Sequence, residues 1–190
     1  ITVANDADHP LSGPETVLVV DGSGSGIDIA DGAVITASGA TDPRTGNYII
    51  DGAAADMTGV GGIVRVSSGP ERLVQRLNAE TVTDQATVSI GAARLDGDSV
   101  LLSSSGDLTA SDEADIRAKR LALGAGKVSF TDDPTGLSGL VVTPTLEALF
   151  GKADHLTIQT PQAIDFRGGT YSFGDLTLDA PGFGLIDGTA

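Results

Sequence analysis

The residues best suited to chemistry are acids, and they are poorly grouped for it. Asp132-Asp133 follows a strand-like stretch and is the pair most like the carboxylates that polysaccharide hydrolases and lyases carry on one face. Such enzymes bring two or three carboxylates around one bond, with one pKa raised or a metal held. Neighbouring residues of a strand point to opposite faces, and Pro134-Thr135-Gly136 follows at once. The spacing therefore predicts a turn, and no basic residue lies close in sequence to support lyase chemistry. The chain has two histidines. His9, beside Asp6 and Asp8, could join a weak metal or acid–base cluster, but its position before Pro10 predicts a solvated loop. His155 stands where a repeated segment has Asp175, so it is predicted to be exposed. Neither histidine sits in a Gly-elbow context, which removes a Ser-His-Asp arrangement. Gly24-Ser25-Gly26-Ile27-Asp28-Ile29 partly matches the nonapeptide that binds calcium in parallel β-rolls, yet those sites are built from successive copies. Asp96-Gly97-Asp98 falls short of an oxygen cage for calcium, and Gly22 to Gly26 lacks the Lys-Ser/Thr of a phosphate loop. We expect no catalytic residue, no cofactor-binding residue and no metal ligand: a chain that is not an enzyme and needs no cofactor.

The elements that would position these residues are short strands. Gly numbers 26 of 190 residues, and the 26 acids divide into 21 Asp and 5 Glu. Asp favours turns and caps where Glu favours helix interiors, so the skew argues against a helical protein. Asp-Gly pairs at Asp21, Asp31, Asp51, Asp96 and Asp187 punctuate the chain as tight corners. A formal charge of −15 with 11 scattered Lys and Arg excludes nucleic acid as a natural partner and disfavours anionic lipid. The chain has no Cys, so it has no disulfide framework or thiolate metal site. No apolar run approaches the roughly 20 residues needed to cross a bilayer, and the chain is not expected to be membrane-embedded. Trp is absent, which disfavours a lectin-type aromatic platform. Phe130, Phe166, Phe173 and Phe183 are expected to fill the core.

A twenty-residue echo organises the strands. His155-Leu156-Thr157-Ile158-Gln159-Thr160-Pro161 returns as Asp175-Leu176-Thr177-Leu178-Asp179-Ala180-Pro181. Period-two alternation recurs at 27–29, 33–36, 48–50, 62–66, 87–90, 99–102, 108–110, 115–118, 121–123 and 127–130. Asp-Gly corners also suit an antiparallel sandwich, but a sandwich gives consecutive segments no reason to resemble each other. Self-similarity at about 20–25 residues predicts a solenoid in which each coil covers the apolar face of the next. The fold class expected is all-β, a parallel β-helix of about eight coils. Pro70 to Leu77 and Thr145 to Phe150 have helical spacing, so short helical excursions are expected near 70–78 and 145–150. Ile1-Thr2-Val3 already reads as a strand, and Leu185-Ile186-Asp187-Gly188 lacks a polar cap. Residues 1–190 are therefore expected to form a single segment of a larger protein.

Val66-Ser67-Ser68-Gly69-Pro70-Glu71-Arg72-Leu73-Val74-Gln75-Arg76, Leu101-Leu102-Ser103-Ser104-Ser105-Gly106-Asp107 and Leu121-Ala122-Leu123-Gly124-Ala125-Gly126-Lys127-Val128-Ser129-Phe130 carry a family likeness. So do Gly139-Leu140-Val141-Val142, Leu156-Thr157-Ile158 and Ala163-Ile164-Asp165-Phe166. Over roughly residues 60–180 the chain resembles the large filamentous-haemagglutinin-like exoproteins. The resemblance implies a right-handed parallel β-helix, secreted by Gram-negative bacteria through an outer-membrane partner and displayed at the cell surface. It implies a structural or adhesive shaft that contacts a host-cell surface, glycan or other bacterial cells, or displays another domain. Two other functions fit the same scaffold: a carbohydrate-active lyase or hydrolase, and the carrier segment of a contact-dependent toxin.

Overall fold

The computed structural model describes residues 2–3, 8, 11–13, 17–22, 25–37, 46–50, 53–57, 62–68 and 86–186. The chain deals its strands into three parallel sheets in rotation. The first pass gives β1 (Thr2–Val3), β2 (Leu11–Gly13) and β3 (Val17–Asp21). The second gives β4 (Ile27–Ile29) and β5 (Val34–Ala37), then a hairpin of β6 (Gly46–Ile50) and β7 (Ala53–Met57), then β8 (Ile63–Ser67). The third gives β9 (Val88–Ile90), β10 (Arg94–Asp96) and β11 (Ser99–Ser103). The fourth gives β12 (Leu108–Ala110), β13 (Asp115–Arg117) and β14 (Arg120–Gly124). Each pass adds one strand to each sheet, and the sheets run β1-β4-β9-β12, β2-β5-β10-β13 and β3-β8-β11-β14.

The fifth pass departs from this order. β15 (Val128–Phe130) is followed by β16 (Leu140–Val142), by the helix α1 (Pro144–Phe150) and by β17 (His155–Gln159). β18 (Ile164–Phe166), β19 (Leu176–Asp179) and β20 (Phe183–Leu185) complete the described chain. β17 and β19 extend the third sheet to six strands. β16, β15, β18 and β20 form their own parallel sheet in that order. It begins beside β12, where the Leu108 N–H donates to the Gly139 carbonyl at 3.4 Å. β16 thus lies between β12 and β15 although it is made after β15. The return is tight at Gly139, whose φ of +86° and closeness to the Lys127 carbonyl leave no room for a side chain. The Asp107 carboxylate fixes the same point by accepting the Gly139 N–H at 2.6 Å.

Register explains the core. In the six-stranded sheet the inward columns run Leu18-Val64-Val100-Leu121-Leu156-Leu176 and Val20-Val66-Leu102-Leu123-Ile158-Leu178. The echo of 155–161 and 175–181 is this register, with Leu156 on Leu176, Thr157 on Thr177 and Ile158 on Leu178. Each aliphatic side chain buried in such a column contributes about 1.5–3 kcal/mol. Polar residues that turn inward at the corner after this sheet are bonded. The Ser104 hydroxyl donates to the Ala86 carbonyl at 2.5 Å and accepts the Gly106 N–H at 3.1 Å. The Thr160 hydroxyl donates to the Gly126 carbonyl at 3.3 Å.

Several expectations change. The longest sheet has six strands among the described residues, fewer than about eight coils, because that figure spread the whole chain over coils. The β6–β7 hairpin, the 131–139 loop and α1 consume chain without extending this sheet. Residues 48–50 belong to that hairpin, which pairs antiparallel, and not to the parallel sheets. The helix expected near 145–150 is α1: the Thr143 hydroxyl accepts the Leu146 N–H at its start, Pro144 begins it, and Leu149 and Phe150 are buried. The excursion expected near 70–78 lies outside the described residues.

Candidate functional site

Departures from the repeating columns gather at one corner. The 131–139 loop, α1 and the 167–175 segment meet there, and α1 packs on β13 and β16. Phe130 is the anchor, buried and stacked on Phe166 with ring centroids 4.9 Å apart. Tyr171 and Phe173 meet its edge at 5.1 and 6.4 Å. This aromatic floor holds the 167–175 segment against α1, where the Ser172 N–H donates to Glu147 Oε1 at 2.5 Å. Between them lies a notch of about 380 Å³ lined by Pro144, Glu147, Ala148, Gly151, Lys152 and Ser172.

Tyr171 is the chemically unusual group of this corner. Its hydroxyl is shielded from solvent and has no hydrogen-bond partner. Burial raises the phenol pKa above its ordinary value, and the negative charges of Asp132 and Glu147 raise it further. Asp132 Oδ1 and the Tyr171 hydroxyl each lie 3.1 Å from the point a Cβ on Gly169 would occupy, so only glycine, here at φ +83°, fits between them. The phenol is thereby held as a neutral O–H enclosed behind the notch, with the Asp132 carboxylate across Gly169.

The structure separates the acids singled out in the sequence. Asp133 closes a turn: its N–H donates to the Thr131 hydroxyl at 3.1 Å, and its carboxylate accepts the Thr135 N–H at 3.0 Å. Hydrogen bonds from Thr135 hold its pKa below the ordinary carboxylate value. Asp132 instead lies near Tyr171, the two side chains meeting across Gly169. Asp96 is bound to Arg94 at 2.5 Å, whereas Asp98 is bound to Lys119 at 2.7 Å and Arg120 at 3.5 Å, so the two share no site. Asp28 points outward from β4 between the buried Ile27 and Ile29, so 27–29 is an ordinary strand. His9 and Asp6 lie outside the described residues, and Asp8 is exposed. His155 is only half-exposed, since its Nδ1 lies 2.9 Å from Asp175, its counterpart in the echo. Phe183 is no core residue but is 60% exposed at the last strand. Among the described residues no group of three or more His, Cys, Asp or Glu side chains could hold a metal, and no helix is long and apolar enough to cross a membrane.

Two features escaped the sequence. Glu147 was placeable on α1 by helical spacing, but nothing local tied it to Ser172 or Tyr171. Asp98 reads as one more Asp-Gly-Asp corner, yet its side chain is 6% exposed and its carbonyl accepts the N–H groups of both Lys119 and Arg120 at 3.0 Å. It clamps the start of β11 to the start of β14. On the outer face nearby, Arg94 registers with Asp115 and Asp96 with Arg117, so neighbouring strands pair opposite charges. The Arg117 guanidinium bonded to Asp115 holds that carboxyl below its ordinary pKa. No family model matches the chain, and comparisons with curated proteins and with solved structures yield no match.

Proposed function

We propose that the three sheets are the faces of a parallel β-helix and that the chain is a structural and adhesive shaft. The observation that carries this reading is the pair of unbroken inward columns of the six-stranded sheet, from Leu18 and Val20 to Leu176 and Leu178. Rotation of consecutive strands among the sheets is what a coil requires, and aliphatic columns with backbone bonds along one axis give a stiff spacer. Right-handedness, secretion through an outer-membrane partner and surface display come with the likeness to filamentous-haemagglutinin-like exoproteins. The mechanism is extension: the shaft holds weak multivalent contacts, or another domain, away from the cell surface. Its ligands would be host-cell surfaces, glycans or other bacterial cells.

A carbohydrate-active enzyme on the same scaffold is the second reading, and one observation favours it: the carboxylate of Glu147 lines the notch beside α1 together with Lys152. One experiment divides the two. Purified chain is titrated onto host-type cells and a glycan panel while substrate breakdown is followed in the same wells. Saturable binding without product is the expected result. Product formation that Glu147→Gln abolishes would transfer the function to the notch.

A further inference from the structure

The chain contains two Asp–Pro bonds, Asp42–Pro43 and Asp133–Pro134. The first lies outside the described residues. The second is held in the turn between β15 and β16, where Asp132 through Gly136 are all exposed. An Asp–Pro bond is the peptide link most open to acid. The side-chain carboxylate can close a five-membered ring on its own backbone carbonyl, and the tertiary amide nitrogen of proline takes up a proton more readily than a secondary one. Proline has no N–H, so ring closure through the following nitrogen, open to Asp31–Gly32, is closed here. One side chain grips the bond at 133. The Asp133 N–H donates to the Thr131 hydroxyl at 3.1 Å, and that hydroxyl donates to the Asp133 carbonyl, the one that would be attacked, also at 3.1 Å. Thr131 is 4% exposed, so the core fixes its hydroxyl while the bond it touches faces water. The Thr135 N–H anchors Asp133 Oδ1 at 3.0 Å. Hydrogen bonds from Thr135 also keep this carboxyl ionised, its nucleophilic form, to lower pH than an ordinary Asp.

We propose that Asp133–Pro134 is a self-cleavage site, cut in acid without a protease, at which the Thr131 hydroxyl polarises the carbonyl under attack. An Asp133 side-chain oxygen bonds to the residue's own backbone carbonyl carbon, and the charge that develops on the carbonyl oxygen is met by the Thr131 O–H. The C–N bond to Pro134 then breaks, and its electron pair leaves on the proline nitrogen, which takes a proton from the solvent. Water opens the cyclic anhydride left on residue 133 to two carboxyl groups. The cut changes the covalent chain and not the pairing. β15 and β16 lie on either side of the bond and are hydrogen-bonded to each other, Val128 on Leu140 and Phe130 on Val142. β14 pairs with β17 and β15 with β18 across the same division. Residues 1–133 and 134–190 therefore stay in one fold after the bond is gone.

The 190-residue chain tests it, incubated at the lowest pH at which its far-ultraviolet circular dichroism stays native, with cleavage read by denaturing mass spectrometry. Fragments 1–133 and 134–190 are expected to accumulate about tenfold faster than the cut at Asp42–Pro43, the scale of one hydrogen-bond donor on an exposed carbonyl. In urea at the same pH, where the turn is lost, the two bonds are expected to break at equal rates. Thr131→Val should slow the cut at 133 about tenfold, less than a fully buried oxyanion donor because water also reaches this carbonyl. Thr131→Ser should restore the rate, Asp133→Ala should abolish the cut, and none of the three should alter the cut at 43. The two fragments are expected to co-elute on gel filtration until denaturant is added. Equal rates at the two bonds in the native chain, a rate at 133 that Thr131→Val leaves unchanged, or fragments that part without denaturant would each overturn the inference. The comparison of native chain with urea needs no variant, so it decides the matter even where Thr131→Val does not fold.

Discussion

Residues 86–124 and residues 125–186 are built from the same strand type and differ in what interrupts it. In the first stretch, six strands fall two to a sheet, corners are short, and buried columns and paired charges use nearly every side chain. In the second, one sheet gains β15 and β16 within a single pass, α1 packs beside β13, the last strand of its sheet, and the 167–175 segment meets it. Tyr171, Asp132, Glu147 and Lys152, the groups gathered at the α1 corner, lie in the second stretch. Repetition commits side chains to packing, and interruption leaves others outside the columns.

The sharpest way to break this contrast is in the columns. Leu123→Ala, in a position 1% exposed, is expected to cost about 2–5 kcal/mol in urea unfolding. Leu178→Ala, two strands along in the same column but half-buried, is expected to cost about 1 kcal/mol. Equal losses would mean that the two stretches are equally supported. Next in size is the clamp between passes. Asp98→Ala removes two cation contacts and is expected to cost about 1–2 kcal/mol, limited because Lys119 regains water. Melting curves in low and high salt check this, since screening should weaken the parent more than the variant. The smallest effect is electrostatic. Asp132→Asn, in a Tyr48→Phe background, removes a negative charge beside Tyr171, so phenolate absorbance should appear at lower pH than in that background alone. The phenol's raised pKa also means that its contribution to stability is present below pH 10.0 and is lost as pH rises through the folded value. A phenol that titrates identically with and without Asp132 would mean that this carboxylate does not act on it.

How far the sequence could be read follows from whether information is local. Alternating Leu121-Ala122-Leu123 and the repeated Leu-Thr-Ile/Leu segments specify strands and their register, because like residues stack in successive rungs. Thr145 to Phe150 specifies α1 through spacing and the adjoining Pro144. Asp133 was legible as a turn because its partners, Thr131 and Thr135, lie two residues away. Asp98 was not, since its partners Lys119 and Arg120 are brought to it only by one full pass of the chain. The β15–β16 inversion was equally hidden: Lys127 to Phe130 and Gly139 to Val142 both read as ordinary strands, and neither states which lies beneath the other. Phe183 has the composition of a core residue and is exposed only because no described strand follows β20.

That inversion bears on the order in which the chain can assemble. A ladder that grows from its N-terminal end adds each strand as it emerges, and from β4 to β14, the β6–β7 hairpin apart, every strand has its neighbour already in place. β15 does not. The strand it must lie on, β16, is still to come when β15 leaves the ribosome or begins to zip, so growth on that sheet pauses until Gly139 has turned and β16 has slid in beside β12. Assembly therefore proceeds as two blocks with a waiting point between them. A chain halted near residue 135 would carry an apolar strand with nowhere to dock.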